Sequence, residues 1–271
     1  MNMKTESRPV SEQVRTLYET IGWTMVDGET YDAQTSEDLR PVTRDYVSRC
    51  RLRVLRHLPA QGDRLLDMAS GPIQYPEYLR YSEHFRTRVC VDLSQRALDM
   101  AAAKLGPRGE YLCGDFLTMP FADDSVDAAV SLHTIYHMDA ADQATAVRKL
   151  IRITKPGGVA VIVYSNPRYI VSALGAPLRR LLRLVRPARA ATAERPDTIY
   201  FHRYPLSWWR QFEDVADVAL FPWRTFATRD QKALIPSSRV AAWLFALEDR
   251  FPKFFLRVGC YPMIVLRPHW K

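Results

Sequence analysis

A chain of 271 residues, 47% hydrophobic and 25% charged, can bury a sizeable core, which excludes a disordered or low-complexity protein. No apolar run reaches the ~18 residues of a membrane span, the opening MNMKTESRPVSEQ has no secretory h-region, and the four scattered cysteines (Cys50, Cys90, Cys113, Cys260) form no C-x-x-C pair, so free thiols in a reducing cytoplasm are expected. The net charge of +8 is local, because Arg168 to Arg210 holds nine Arg, no Lys and two acids, Glu194 and Asp197.

Residues 1–60 read as an N-terminal helical cap. In VTRDYVSRCRLRVLRHL, Tyr46, Cys50, Val54 and Leu58 recur at every fourth position and give one helix face that can pack on a sheet. Residues 61–271 read as one α/β domain. RLLDM is a short apolar strand and PEYLRYSEHF a helix; TRVCVDL is a second strand and SQRALDMAAAKL a helix with Ser94 as N-cap. EYLCGD and VDAAVSLH are the third and fourth strands; Cys90 of the second strand and Cys113 of the third are expected to be buried. DQATAVRKLIRIT is helical and stops at KPGG. VAVIVYS, continuously apolar, is a fifth strand covered on both faces. An Arg-rich insertion follows at about 168–205. The helix SWWRQFEDVA, the strand DVALFPWRTF, the helix SRVAAWLFALEDRF and the strand CYPMIVLRP complete the chain. The expected fold is a Rossmann-like, doubly wound sheet of seven strands, mostly parallel, with an antiparallel last strand.

Open α/β sheets bind ligands beyond the carboxyl ends of their strands. Acids end three successive strands here, at Asp67, Asp92 and Asp115. Asp92, followed by Leu93, lies 25 positions after Asp67, where a carboxylate can accept from both hydroxyls of a ribose. Asp115 can accept from an adenine amine while Phe116 packs on the base. The turn Ala69-Ser70-Gly71-Pro72 has a single glycine, unlike a dinucleotide loop, and its acid would repel a diphosphate. An adenosine carrying a positive centre and an ammonium suits these residues better, which describes S-adenosylmethionine.

Four ordered motifs over about residues 60–165 carry a resemblance: LLDMASGP, VCVDLS, GDFLTMPFADDSVDAAVSLHTIYHM and LIRITKPGG. Together they resemble the class I S-adenosylmethionine-dependent methyltransferases, particularly the branch of ubiquinone and menaquinone biosynthesis. The resemblance implies small-molecule methylation, with Asp67, Ala69, Gly71, Asp92, Leu93, Asp115, Phe116 and His133 around the cofactor. The opening turn departs from the family's acid-x-Gly-x-Gly-x-Gly, with Ala69 and Ile73 at the first and third glycines. Ala69 forbids little at negative φ, and Ile73 is expected inside the start of the next helix, its side chain turned away. Asp127, at the start of the fourth strand, is far from the carboxyl edge and expected to be structural.

SLHTIYHMD follows the fourth strand, on the edge where the transferred methyl belongs. His133 and His137 can accept a proton from an attacking hydroxyl, or simply hydrogen-bond the loop, since positioning and desolvation carry much of a methyl transfer. No third ligand and no H-E-x-x-H accompany them, so no metal is expected. Aromatic candidates for the acceptor pocket are Trp23 and Tyr31, with Tyr18, from the cap, and Tyr169, Tyr204 and Trp208, with Trp209, from the insertion. The expected reaction is O-methylation of a small or amphipathic molecule. The alternatives are an RNA methyltransferase, suggested by the Arg segment but lacking NPP plus an aromatic after the fourth strand, and a non-catalytic S-adenosylmethionine-binding partner protein; a homo-oligomer is compatible with each. A helix from about Ala176 would put Leu178, Leu181, Leu182 and Val185 on one stripe and Arg179, Arg183 and Arg186 on the other. Such a helix suits a lid over the acceptor mouth or peripheral contact with an anionic membrane.

Overall fold

The computed structural model describes residues 9–20, 22–26, 29–32, 38, 40–170 and 199–270. The Arg-rich stretch 168–196 therefore lies, apart from its first three residues, outside the described residues, and the helix expected from about Ala176 lies wholly outside them.

The cap is not purely helical. Helix α1 (Val10–Thr20) leads to an antiparallel hairpin, β1 (Trp23–Val26) paired with β2 (Glu29–Asp32), before helix α2 (Pro41–Leu52). WTMV and ETYD are rich in β-formers and are separated by Asp27-Gly28, a strong short hairpin signal that the helical reading passed over.

The central sheet comprises β3 (Gly62–Met68), β4 (Phe85–Asp92), β5 (Gly109–Cys113), β6 (Val126–Leu132), β7 (Thr154–Val163), β8 (Ala216–Arg224) and β9 (Tyr261–Pro268), in the spatial order β5-β4-β3-β6-β7-β9-β8. The first five are parallel, and β9 runs antiparallel to both β7 and β8. This is the seven-stranded, Rossmann-like doubly wound architecture that the alternation implied. Successive strand residues face opposite layers: Leu66 and Met68 join one core with Phe116, Leu150 and Trp209, while Leu65 and Cys90 join the other with Leu98 and Trp223.

Helix α3 (Pro76–Leu79) begins at Pro76, a residue suited to the first helical position, and lasts one turn. Helix α4 (Gln95–Leu105) is capped by Ser94, whose Oγ accepts from Ala97 N–H, and α5 (Ala140–Ile153) by Asp139. SWWRQFEDVA forms a 3-10 segment, Leu206–Phe212, rather than an α-helix; burial of Trp209 and Phe212 sets its course. Helices α6 (Thr228–Leu234), α7 (Ser238–Arg250) and α8 (Pro252–Val258) separate β8 from β9. Tyr46 and Cys50 of α2 are buried against Phe226, Ile235 and Ala241, so this helix docks on α6 and α7 as well as on the sheet edge. A buried ion pair locks that contact: Arg53 donates to Glu248 at 2.6 Å and to the Trp223 carbonyl at 2.9 Å, and Tyr46 donates to Glu248 at 2.5 Å. Cys113 is exposed at the end of edge strand β5, against the expected burial, whereas Cys50, Cys90 and Cys260 are buried; all four are free thiols. Among the described residues no helix is long and apolar enough to cross a membrane.

Candidate active site

The carboxyl ends of β3, β4 and β6 open into one cavity of about 440 Å³. Its wall takes in Asp67, Ala69, Gly71, Asp92, Leu93, Asp115, Phe116, His133, His137 and Trp23, gathered from four separate loops and the cap.

Asp92 is its polar anchor. One carboxylate oxygen accepts from Gly71 N–H at 2.8 Å and the other from Ser94 N–H at 2.9 Å. Burial pushes its carboxyl up to about 6, against the lowering effect of those two bonds. Each oxygen retains a second acceptor position. Asp67 is 2% exposed and is paired with Arg88 of β4, whose Nε donates to it at 3.1 Å. Its charge is thus already matched within the sheet, a counter-ion that the expectation of an open, ammonium-facing acid did not include.

The turn between Asp67 and α3 corrects two expectations. Ala69 has φ 55° and Ile73 has φ 48°, both in the left-handed region. Ala69 adopts a backbone shape that favours glycine and carries the steric cost of a Cβ. Ile73 precedes the helix instead of opening it, and its side chain is 1% exposed in the core beside Leu65 and Leu98. Burial of that side chain compensates for the strained backbone. Gly71, at φ 53°, is required twice over: a Cβ there would come within 3.0 Å of the Trp23 ring. Trp23 therefore packs over the cofactor turn, stacked on Tyr18 at 5.1 Å.

Asp115 accepts from Leu117 N–H at 2.9 Å, and Phe116 is 4% exposed beside Phe121. Lys149 of α5 holds this loop by donating to the carbonyls of Phe116, Leu117 and Met119. Sequence reading passed over Lys149, because a lysine in an amphipathic helix looks like part of a solvated face.

At the end of β6, His133 also has a left-handed φ, 60°. Its ring lies 4.8 Å from Trp223 and 4.7 Å from Tyr261, with Nδ1 3.2 Å from the Tyr136 hydroxyl. Burial, then the positive charge of Arg224, pushes its pKa well below the usual imidazole value and keeps the ring neutral. His137 donates from Nδ1 to the Tyr200 carbonyl at 2.9 Å, which leaves Nε2 as the basic nitrogen. Trp223, Arg224 and Tyr261, which complete this end of the cavity, come from the last two strands and were not singled out from sequence. Their one signal is their place at strand ends.

The other aromatic candidates sit elsewhere. Tyr169 donates to Asp230 at 2.5 Å and accepts from Ala227 N–H, pinning the segment after β7 to α6. Tyr204 stacks on Trp208 at 4.6 Å and donates to the Ala140 carbonyl. Neither they nor the fully buried Trp209 contribute to the cavity wall. Tyr31 lies in β2, its side chain outside the described residues. Asp127 accepts from Asp63 and Arg64 N–H and from Lys155 at the opposite end of the sheet.

Residues 66–162 match the model of a methyltransferase domain. Solved structures share the whole architecture: the DhpI-SAM-HEP complex aligns over 97% of this chain and 100% of its own, with TM-score 0.58 at 15% identity, and the [4+2]-cyclase SpnF over 97% of each, with TM-score 0.56 at 18% identity. The fold is that of the class I S-adenosylmethionine-dependent methyltransferases. Among curated relatives, demethylmenaquinone methyltransferase of Corynebacterium urealyticum is 28% identical over 61% of this chain and 70% of its own. The biotin biosynthesis bifunctional protein BioHC of Cellvibrio japonicus is 33% identical over 44% of this chain and 23% of its own length. The cofactor of this methyltransferase domain is S-adenosylmethionine, and the residues present fit it. Asp92 has acceptor capacity to spare, and the shielded Trp23 Nε1 and Gln74 Nε2 on the same wall have no partner among the described residues, donors that a ligand oxygen would satisfy.

Proposed function

We propose that this chain methylates an oxygen of a small molecule with a flat, apolar body. The observation that carries the reading is the continuity of one cavity from Asp92 to the aromatic box around His133. S-adenosylmethionine supplies an activated methyl group; the chain supplies the rest. Asp92 and Asp115 orient the nucleoside, and Lys149 fixes the loop under it. Trp223, Tyr261 and Tyr136 exclude water and align a planar acceptor. Neutral His133 would take the proton that the acceptor's hydroxyl gives up as that oxygen is alkylated. The demethylmenaquinone methyltransferases among the relatives, whose named acceptor is a quinone, support a flat apolar body. The RNA alternative rested on an Arg segment that lies mostly outside the described residues, and the site offers it no support of its own.

His133→Ala tests the assignment in a methyl-release assay on small-molecule extracts. Turnover is expected to fall by about two to four orders of magnitude, as for removal of a general base, with affinity for S-adenosylhomocysteine within about twofold. A loss under about tenfold assigns the rate to positioning alone.

A further inference from the structure

Arg224 ends β8 in a setting that is costly for a cation. Its Nε is shielded from solvent and has no hydrogen-bond partner among the described residues. Its guanidinium lies over the Tyr261 ring, 4.7 Å from the centroid, and 5.4 Å from that of Trp223. Among the described residues, each of the three buried arginines has an acid: Arg88 has Asp67, Arg53 has Glu248, and Arg51, on the same cavity wall, has Glu77 at 3.5 Å; Arg224 is half-buried. Arg224 takes part in no ion pair among them. A half-buried guanidinium that lines a cavity, has a shielded Nε and faces no acid favours a ligand that brings a carboxylate.

The position says what that ligand is. His133 and Arg224 share one ring, each 4.7 Å from the centroid of Tyr261. Arg224 also lines a second cavity, of about 290 Å³, which shares Arg51, Gln74, Tyr75 and Thr228 with the first. A planar molecule seated against Trp223 and Tyr261 can therefore present a hydroxyl to His133 and a second group to Arg224. Resting on the methyltransferase reading above, we propose that the acceptor is an aromatic or conjugated hydroxy acid whose carboxylate is bound by Arg224, making Arg224 the residue that selects anionic over neutral acceptors. A carboxylate could also come from the methionine end of the cofactor, and the test separates the two sources.

The protein loaded with S-adenosylhomocysteine is titrated with 4-hydroxybenzoate, 3,4-dihydroxybenzoate and 4-hydroxycinnamate, each beside its neutral amide, by calorimetry and by tryptophan fluorescence. The expected result is at least tenfold tighter binding of one or more acids over their amides. In Arg224→Met that preference disappears and S-adenosylhomocysteine affinity stays within twofold; Arg224→Lys recovers part of the preference, which separates loss of charge from loss of fold. Equal binding of acid and amide, or binding of none, overturns the proposal while the methyltransferase reading stands. A tenfold loss of S-adenosylhomocysteine affinity in Arg224→Met, with any acid preference unmoved, overturns it by assigning the anion to the cofactor. Absence of S-adenosylhomocysteine binding by the unmodified protein removes the methyltransferase reading, and this inference with it.

Discussion

Three non-glycine residues with left-handed backbone, Ala69, Ile73 and His133, stand at turns on the carboxyl edge of the sheet. Strain of this kind persists where surrounding structure over-determines it, and it clusters at functional sites. Ile73 is held by burial and His133 by its aromatic box, but Ala69 has only a methyl group to offer in return. Ala69→Gly should therefore stabilise the protein by ~1 kcal/mol, the αL cost of a Cβ less the extra freedom of an unfolded glycine. Calorimetry should show Tm rising by about 2–4 °C, without loss of S-adenosylhomocysteine binding. A fall in Tm would mean that the methyl group packs usefully.

At the scale of elements, the acceptor end of the cavity depends on how α2 and α7 are joined, since α2 carries Arg51 and the end of β8 carries Arg224. Glu248 is 0% exposed and holds both Arg53 and Tyr46. Glu248→Ala would leave Arg53 with only the half-exposed Asp249, at 3.0 Å, and Tyr46 without its acceptor, and a cost of about 3 kcal/mol, the low end for breaking a buried pair, is expected, read as a lower urea midpoint. A change under ~1 kcal/mol, the range of a surface pair, would show that solvent reaches Arg53. The strands were legible because continuous apolar runs bounded by acids and glycines have few other solutions, and the cavity edge was legible because Asp67, Asp92 and Asp115 stand at or just beside strand ends. The hairpin β1–β2 was missed because each strand is only four residues long. The φ values of Ala69 and Ile73 were misread because a side chain argues for negative φ unless tertiary packing overrides it. Trp223, Arg224 and Tyr261 escaped notice because they come from the two antiparallel strands, whose order in the sheet decides which loop they face.

For the whole molecule, the cavity closes only when distant parts of the chain meet. Helix α1 lies over α4, where Gln95 N–H donates to Glu19 at 2.5 Å and Arg96 donates to the Thr20 carbonyl at 2.8 Å. Pro9, Val14, Tyr18 and Trp23 thereby roof the cofactor turn. Under that roof the carboxyl of Asp92 is raised to about 6 from 3.8. A raised carboxyl pKa means that the unfolded chain ionises first, so this group's contribution to stability falls as pH rises from about 4 towards 6. With Asp92 as the proposed ribose ligand, cofactor binding would run the other way, because ribose hydroxyls would donate to the carboxylate form, and affinity would be lost as pH falls through 6. The most direct measurement is calorimetric titration with S-adenosylhomocysteine at pH 7 and pH 5, on the unmodified protein and on Asp92→Asn. One site is expected at pH 7, with binding weaker by about tenfold at pH 5. Asp92→Asn, which removes charge-assisted bonds of about 1.5–3 kcal/mol each, should bind at least tenfold more weakly at pH 7 with no such pH dependence and with its fold intact. No binding by the unmodified protein, or unchanged affinity in Asp92→Asn, would contradict the assignment of this cavity to the cofactor.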